Sequence, residues 1–156
     1  MGHFPLVALP VVLGLFLLSA GIEDVRTREI ANWKTAAIAL LAPLWWWALG
    51  LSLWPGVAVQ LGVAAVVFAL FVGAFAIGAM GGGDVKLIGA LALWLPPLPL
   101  VSMLIVMSLV GGAITLVLLV ESKFRGRGGA IEVPYGVAIA VAGLLAIREP
   151  IINQFA

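Results

Sequence analysis

Long runs of apolar residues dominate this chain and constrain its fold more than any other feature. One of them, over residues 57–79, contains no charged residue. A helix that spans a membrane needs about 20 predominantly apolar residues. The strands of an outer-membrane barrel instead alternate apolar and polar residues, and these runs do not. The runs therefore predict an all-α, polytopic integral membrane protein.

Composition excludes the other broad classes. The chain has 156 residues, of which 64% are apolar and only 10% are charged. A soluble domain carries roughly 25% charged residues, and fifteen charged side chains would leave a soluble domain of this size with large apolar patches. Disorder is excluded as well, because a chain this apolar has too much surface to bury. The net charge of +1 gives no reason to expect a nucleic-acid partner.

The apolar runs divide the chain into a bundle of about six transmembrane helices. Residues 1–156 are then accounted for by a single membrane-embedded domain with short loops, and the lipid bilayer is its expected surrounding. Pro43 is expected to kink the second helix, which neighbouring helices in a bundle can tolerate. The predicted helices cover residues 4–20, 35–50, 57–79, 84–95, 98–120 and 133–147.

The basic residues predict one orientation in the membrane. With the N-terminus outside, seven of the eight Lys and Arg residues lie in or beside cytoplasmic loops, and only Arg148 lies on the other side. In the opposite orientation, only one of the eight basic residues would lie on the cytoplasmic side. The seven are Arg26, Arg28, Lys34, Lys86, Lys123, Arg125 and Arg127. Tryptophans such as Trp54, Trp94 and the run 45–47 are expected to act mainly as interfacial anchors at the outer ends.

The fourth helix is too short to cross a bilayer. Its 11 residues over 85–95 would span about 16 Å, against about 30 Å for the hydrocarbon core. If Trp94 marks the outer interface, the helix begins inside the membrane. The glycines at 81–83 would then form a break at that depth, and irregular backbone there must be buried in protein or line a water-filled cavity. A polar pocket that opens to the cytoplasm is the simplest arrangement.

The chain has only two aspartates, Asp24 and Asp84, and both lie at helix boundaries on the predicted cytoplasmic side. Two carboxylates that lie close together share a proton, so that one serves as base and the other as acid. Such a pair can activate water and protonate the carbonyl or the leaving amine of a peptide. Which aspartate is the base is left open. With no cysteine and with His3 as the only histidine, no metal site and no cofactor is expected.

Three segments together resemble the type IV prepilin peptidases, polytopic aspartic proteases of bacterial inner membranes. The sequence GGGDVKL at 81–87 matches the family pattern Gly-x-Gly-Asp-x-Lys-Leu. The sequence DVRTREIAN at 24–32 fits the family's first aspartate segment, Asp-hydrophobic-Arg-x-x-x-Ile-x-Asn. The sequence VPYG at 133–136 looks like the Pro-aromatic-Gly element that opens the last helix. The likeness extends over most of the chain, from about residue 20 to residue 143.

The resemblance implies a specific activity and site. The enzyme would cut the leader from a prepilin substrate at the cytoplasmic face, in a multi-pass protein whose N-terminus is periplasmic. The larger family members carry Cys-x-x-Cys pairs linked to N-methylation, so this cysteine-free chain resembles the short, peptidase-only members of tight-adherence (Flp) systems. The implied catalytic residues are Asp24 and Asp84, and the residues expected to contact substrate are Gly81, Gly82, Gly83, Lys86 and Arg26.

Other interpretations remain open from the sequence. Intramembrane acids and broken helices also mark ion pathways, so a proton- or ion-coupled transporter is the main alternative. A non-catalytic assembly subunit would not need either aspartate. Arg26 and Lys86 also have a structural interpretation as headgroup contacts, and the glycines as a close-packed helix break. The sequence predicts neither the oligomeric state nor the separation of the two carboxylates.

Overall fold

The described residues fold into six α-helices, which confirms the predicted all-α class. The computed structural model describes residues 4–124 and 133–152. His3 and two of the predicted cytoplasmic cations, Arg125 and Arg127, lie outside the described residues. The helices are α1 (Phe4–Thr27), α2 (Asn32–Ala48), α3 (Ala58–Ala76), α4 (Gly82–Ala92), α5 (Pro97–Phe124) and α6 (Tyr135–Ile152).

Three helical segments in the described part of the chain are long and apolar enough to cross a membrane. They are α1, α5 and the segment Leu53–Ala76, which joins an irregular helical turn at Leu53–Val57 to α3. The 17 residues of α2 span about 26 Å, close to the thickness of the hydrocarbon core. The 11 residues of α4 span about 16 Å, as expected from the sequence.

The first helix is longer than the sequence predicts, which places Asp24 within a helix. We expected helix to residue 20 followed by a charged segment, but α1 continues to Thr27. Its last turns contain Glu and Arg, which are good helix formers, so charge alone was a poor marker of the helix end. The helix stops at Arg28, whose φ of 58° is left-handed and ends the regular backbone.

The predicted break before the fourth helix is confined to a shorter segment than expected. Gly82 and Gly83 lie in the first turn of α4, and Gly81 has the extended conformation of a residue that precedes a helix. The end of α3 is set by Gly78, whose φ of +74° is accessible to glycine at no steric cost. Ala79 N–H then donates to Ala74 C=O at 2.9 Å, which closes the end of the helix.

The short helix α4 lies at the centre of the bundle, in contact with α2, α3 and α6. Seven of its 11 residues are buried, and Leu87, Ile88 and Leu91 are fully so. A helix this short leaves both of its ends within the protein. Its last carbonyl groups therefore need hydrogen-bond donors from neighbouring helices, because no water is available in a bilayer core.

Side chains of α2 and α3 supply those donors. Trp46 Nε1–H donates to Leu93 C=O at 2.7 Å, and Trp45 Nε1–H donates to Trp94 C=O at 3.2 Å. Gln60 Nε2–H donates to Ala92 C=O and Leu95 C=O, at 2.8 and 2.6 Å. The sequence interpretation of these tryptophans as membrane anchors is therefore wrong for the buried Trp45, whereas Trp46 is partly buried and also bonds to the end of α4.

Trp94 is not an exposed anchor either. Its ring is buried, stacks on Trp45 with centroids 5.8 Å apart, and donates a 2.8 Å hydrogen bond to Ile38 C=O. Of the run 45–47, only Trp47 is largely exposed, which suits a lipid-facing residue. Tryptophan can thus face lipid or be buried with its N–H bonded to a backbone carbonyl, and the sequence alone does not distinguish the two positions.

The first and last helices pack closely through small residues. A Cβ placed on Gly21 would lie 3.0 Å from Ala140 Cβ, and one on Gly143 would lie 2.9 Å from Leu17 Cδ1. Small residues let helix backbones approach, which is the main route to tight packing inside a membrane. This contact brings the last turns of α1 to the first turn of α6.

Candidate active site

Asp24 lies on the penultimate turn of α1 and faces the N-terminus of α6. Its side chain is almost fully buried, at 5% exposed, and lies beside the backbone N–H groups of Gly136 and Val137. Helix N-termini favour negative charge because their first N–H groups have no partner within the helix. Among the described residues, Asp24 Oδ2 is buried and has no hydrogen-bond partner, so it is an unsatisfied acceptor against α6.

Gly136 makes this position possible. A Cβ on Gly136 would lie 2.8 Å from both Cγ and Oδ2 of Asp24. Any side chain there would displace the carboxylate. Gly136, which is not among the site residues predicted from the sequence, therefore lies directly against Asp24.

Asp84 lies in the first turn of α4 and is also buried, at 9% exposed. Its carboxylate accepts a hydrogen bond from the Gly81 N–H, so the side chain folds back over the start of its own helix. A Cβ on Gly81 would lie 3.0 Å from Asp84 Oδ2. Gly81 thus leaves room for the carboxylate and also binds it.

Gly83 serves a different contact. A Cβ on Gly83 would lie 3.3 Å from Ile30 Cβ, so the segment between α1 and α2 packs directly on the first turn of α4. Ile30 is buried there. The two glycines of the Gly-x-Gly-Asp motif therefore have different structural roles. Gly81 leaves room for the aspartate, and Gly83 lets the two aspartate-bearing segments pack together.

Both aspartates line one cavity of about 390 Å³. The charge of Asp24 acts on Asp84 across it, so the two groups are electrostatically coupled. The cavity wall is mostly polar or glycine, unlike the apolar helices around it. It is lined by Asp24, Arg28, Glu29, Ile30, Asn32, Gly81, Gly82, Gly83 and Asp84.

Arg28 is the cation that the structure brings to this cavity. It follows the end of α1, and its charge acts on Asp24. The sequence pattern predicts Arg26, and not Arg28, as a residue of the site. The position of a side chain beyond a helix end depends on the left-handed turn there, and an arginine with positive φ gives no clear signal in the sequence.

The structure separates the other two predicted cations from the aspartate cavity. Arg26 is exposed on α1 and is not among the residues that line the cavity. Lys86 follows the cavity residue Asp84 by two positions but does not line the cavity, and its Nζ donates a 2.8 Å hydrogen bond to Asn32 Oδ1. Asn32 belongs to the cavity wall, so Lys86 is linked to the site through this amide.

Glu23, the neighbour of Asp24, is used elsewhere, as expected for the adjacent position on a helix. Its Oε2 pairs with Lys34 Nζ at 2.9 Å and accepts the Ala31 N–H at 3.1 Å. Lys34 Nζ also donates to Ser19 Oγ at 2.7 Å. This cluster ties α2 and the connecting segment to α1, and it leaves Asp24 as the carboxylate of α1 that lines the cavity.

The structure thus places two buried carboxylates in one polar cavity of an apolar helical bundle. A carboxylate pair can share one proton and supply both acid and base for the hydrolysis of a peptide. The site is therefore of a kind that suits an aspartic peptidase embedded in a membrane.

The comparison with known families agrees. The sequence model of the type IV leader peptidase family matches residues 11–116, which include both aspartates, and the chain belongs to that family. Its members are aspartic prepilin peptidases with prepilin substrates. This assignment favours the peptidase over the transporter. No curated protein and no solved structure gives a significant match to the chain.

Proposed function

We propose that Asp24 and Asp84 form the catalytic acid–base pair of a prepilin leader peptidase, of the type that processes Flp pilins. The observation that carries the proposal is that these two carboxylates, 60 residues apart in sequence, line the same polar cavity. The buried Oδ2 of Asp24, which has no hydrogen-bond partner among the described residues, and the helix N-terminal position of Asp84 both suit groups that take part in proton transfer.

Hydrolysis by such a pair needs no other reagent. The ionised carboxylate takes a proton from water while the water oxygen bonds to the scissile carbonyl carbon, and the protonated carboxyl gives its proton to the carbonyl oxygen. When the C–N bond of this tetrahedral intermediate breaks, the leaving amine receives a proton from the pair. The products are the leader, with a new carboxylate, and the mature pilin, with a new amine.

The residues around the pair would bind the substrate backbone. Gly82 and Gly83 lie in the first turn of α4, where N–H groups have no partner within the helix, and they could donate to an extended peptide. Gly81 and Lys86 lie on either side of this turn. A contact of Arg26 with the leader stays a prediction, because the side chain is exposed outside the cavity lining.

We further propose that the helical bundle lies in the inner membrane of a bacterium, with the N-terminus periplasmic and with the short helix α4 held inside the bundle. The dyad then lies near the cytoplasmic ends of α1 and α2 and at the start of α4. A short basic leader would reach the cavity from the cytoplasm, and the apolar segment of the prepilin would remain in the bilayer. N-methylation, which accompanies Cys-x-x-Cys pairs, is no part of this proposal because the chain has no cysteine.

The decisive experiment replaces each aspartate by its uncharged isostere. Asp24→Asn and Asp84→Asn should each lower leader cleavage by at least roughly 100-fold, since either change removes the shared proton or its acceptor. Cleavage is measured by co-expression with a Flp-type prepilin, followed by a gel shift and N-terminal sequencing of the product.

Glu121→Gln is the matched control, because Glu121 is a carboxylate on α5 that does not line the cavity. It should cleave at the wild-type rate, and all three variants should insert in the membrane in equal amounts. Full processing of the prepilin by either aspartate variant would exclude the dyad.

A further inference from the structure

A second cavity lies beside the aspartate cavity, between α2, α3 and α4. It has a volume of about 540 Å³ and is almost entirely apolar, and we call it the helix groove. Exposure alone would mean little here, since much of the outer surface of this bundle is apolar and exposed. The groove differs because it is concave. Its walls carry many small residues, namely Ala36, Ala39, Ala64, Ala65, Gly89 and Ala90.

The floor of the groove is formed by close contact between α3 and α4. A Cβ on Gly89 would lie 2.6 Å from Phe68 Cδ2, so the Phe68 ring covers the backbone of α4 at this point. The alanines on the walls leave a shallow, open depression into which another helix can bring its backbone close.

The groove and the aspartate cavity share a wall. Asn32 lines both, and its hydrogen bond with Lys86 lies at their boundary. From Lys86 the groove follows α4 to Leu93, which is seven residues or about 10 Å of helix. One end of the groove is therefore polar and adjoins the catalytic pair, and the rest is apolar.

We propose that the helix groove binds the apolar helix of the prepilin that follows the scissile bond. This inference rests on the proposed function. A peptide bond held between the two aspartates places the next substrate residues at the edge of their cavity, and Asn32 marks an edge where that cavity adjoins an apolar channel. The small residues suit a helix, which needs close backbone approach, more than they suit a lipid tail.

Disulfide cross-linking tests the proposal, and the chain is suited to it because it contains no native cysteine. Two matched pairs on α3 compare the groove with the lipid-facing side. Leu61 lines the groove, and Val59, two residues away, does not, although they are 48% and 51% exposed. In the second pair, Phe68 lines the groove and Leu70, two residues away, does not, and both are exposed. Two residues turn a helix by about 200°, so each pair compares opposite faces at similar depth.

Each single cysteine is placed in the Asp84→Asn chain, which is co-expressed with prepilins that carry one cysteine at successive positions of the apolar segment. We expect disulfides at Leu61→Cys and Phe68→Cys, and at most one-tenth as much at Val59→Cys and Leu70→Cys. The substrate position that links best should shift by about seven residues between the two groove sites, because they are seven residues apart on α3. Phe68 should link to the position nearer the cleavage site.

A second measurement separates the groove from the dyad. Ala65→Phe would fill the groove and should slow cleavage of the full prepilin roughly tenfold at low substrate concentration, whereas cleavage of a leader peptide without the apolar helix should be unchanged. Ala113→Phe, at an exposed alanine on α5, should behave as wild type on both substrates.

The two proposals fail in different ways. If the wild-type chain cleaves the prepilin but the disulfides form equally on both faces of α3, or not at all, the groove is not the substrate site and the peptidase proposal stands. Equal slowing of both substrates by Ala65→Phe would also overturn the groove assignment. Absence of cleavage by the wild-type chain would overturn the proposed function itself.

Discussion

At the scale of single residues, the site depends on two glycines, because glycine has no Cβ and leaves room for a neighbouring carboxylate. Asp24 fits against α6 because Gly136 has no Cβ, and Asp84 folds back over Gly81 for the same reason. The carboxylates are thus positioned by space and by backbone N–H groups rather than by other charged side chains. Removal of that space is the most direct test of this geometry.

We expect Gly136→Ala to lower leader cleavage by about tenfold or more. The added Cβ would lie 2.8 Å from Asp24 Cγ, so the carboxylate must move away from its position in the cavity. Displacement of a reacting group by about 1 Å can cost roughly 100-fold in rate. The measurement is the cleavage rate of a prepilin in membranes that contain equal amounts of enzyme.

Gly112→Ala is the control for this change. Gly112 also lies in a helix, α5, but a Cβ there would meet no atom within 4 Å. It should retain the wild-type rate. If Gly136→Ala is as active as Gly112→Ala, then Asp24 does not depend on the close approach of α6.

At the scale of elements, the short helix α4 is the one that the bundle must support. Both of its ends lie within the protein, where each free backbone group requires a partner. Its start is covered by Asp84 and by the segment around Ile30, and its end by two indoles and one amide. The same helix carries one of the aspartates, so stability and geometry of the site are linked.

We expect Trp46→Phe to destabilise the folded chain by about 1–3 kcal/mol. The variant keeps an aromatic ring but leaves Leu93 C=O without the 2.7 Å hydrogen bond from the indole, and an unsatisfied buried group costs about this much. Gln60→Leu should have a similar or larger effect, because two carbonyl groups lose their donor. Denaturant unfolding in detergent micelles measures the change.

The adjacent Trp47→Phe is the matched control. Trp47 is 65% exposed, and no hydrogen bond of its indole is seen among the described residues. Its replacement should leave the free energy of unfolding within about 0.5 kcal/mol of wild type. Equal destabilisation by Trp46→Phe and Trp47→Phe would show that the indole bond to α4 contributes nothing.

At the scale of the whole molecule, the placement of charge predicts which side of the membrane holds the site. The aspartate cavity, Lys86 and the Glu23–Lys34 pair all lie at the same end of α1, α2 and α4. The positive-inside rule assigns this end to the cytoplasm. The orientation is part of our proposal and is open to a direct test.

Single cysteines in this cysteine-free chain report the orientation. Lys123→Cys, in the last turn of α5, should react with a membrane-impermeant maleimide only after the inner membrane is permeabilised. Ser52→Cys, in the exposed turn after α2, should react in intact spheroplasts. The reverse pattern would place the dyad outside and would contradict cleavage at the cytoplasmic face.

Much of this protein could be predicted from short-range sequence patterns. Apolar runs predict the helices and their approximate bounds, because burial in lipid requires about 20 apolar residues whatever the partners are. The two aspartates stand out because charged residues are so few, and their motifs indicate the family. These inferences require only short sequence patterns and the knowledge that apolar segments are stable in lipid.

Other features depend on which helices meet, which the sequence by itself does not determine. The contact of Gly136 with Asp24, the place of Arg28 at the cavity and the use of Trp45 and Trp46 to cover α4 follow from contacts between distant segments. A tryptophan at a membrane interface and one that donates to a buried carbonyl have the same sequence signal. The tertiary structure decides between them, because only packing determines which backbone groups are left without a partner and which side chain can reach them.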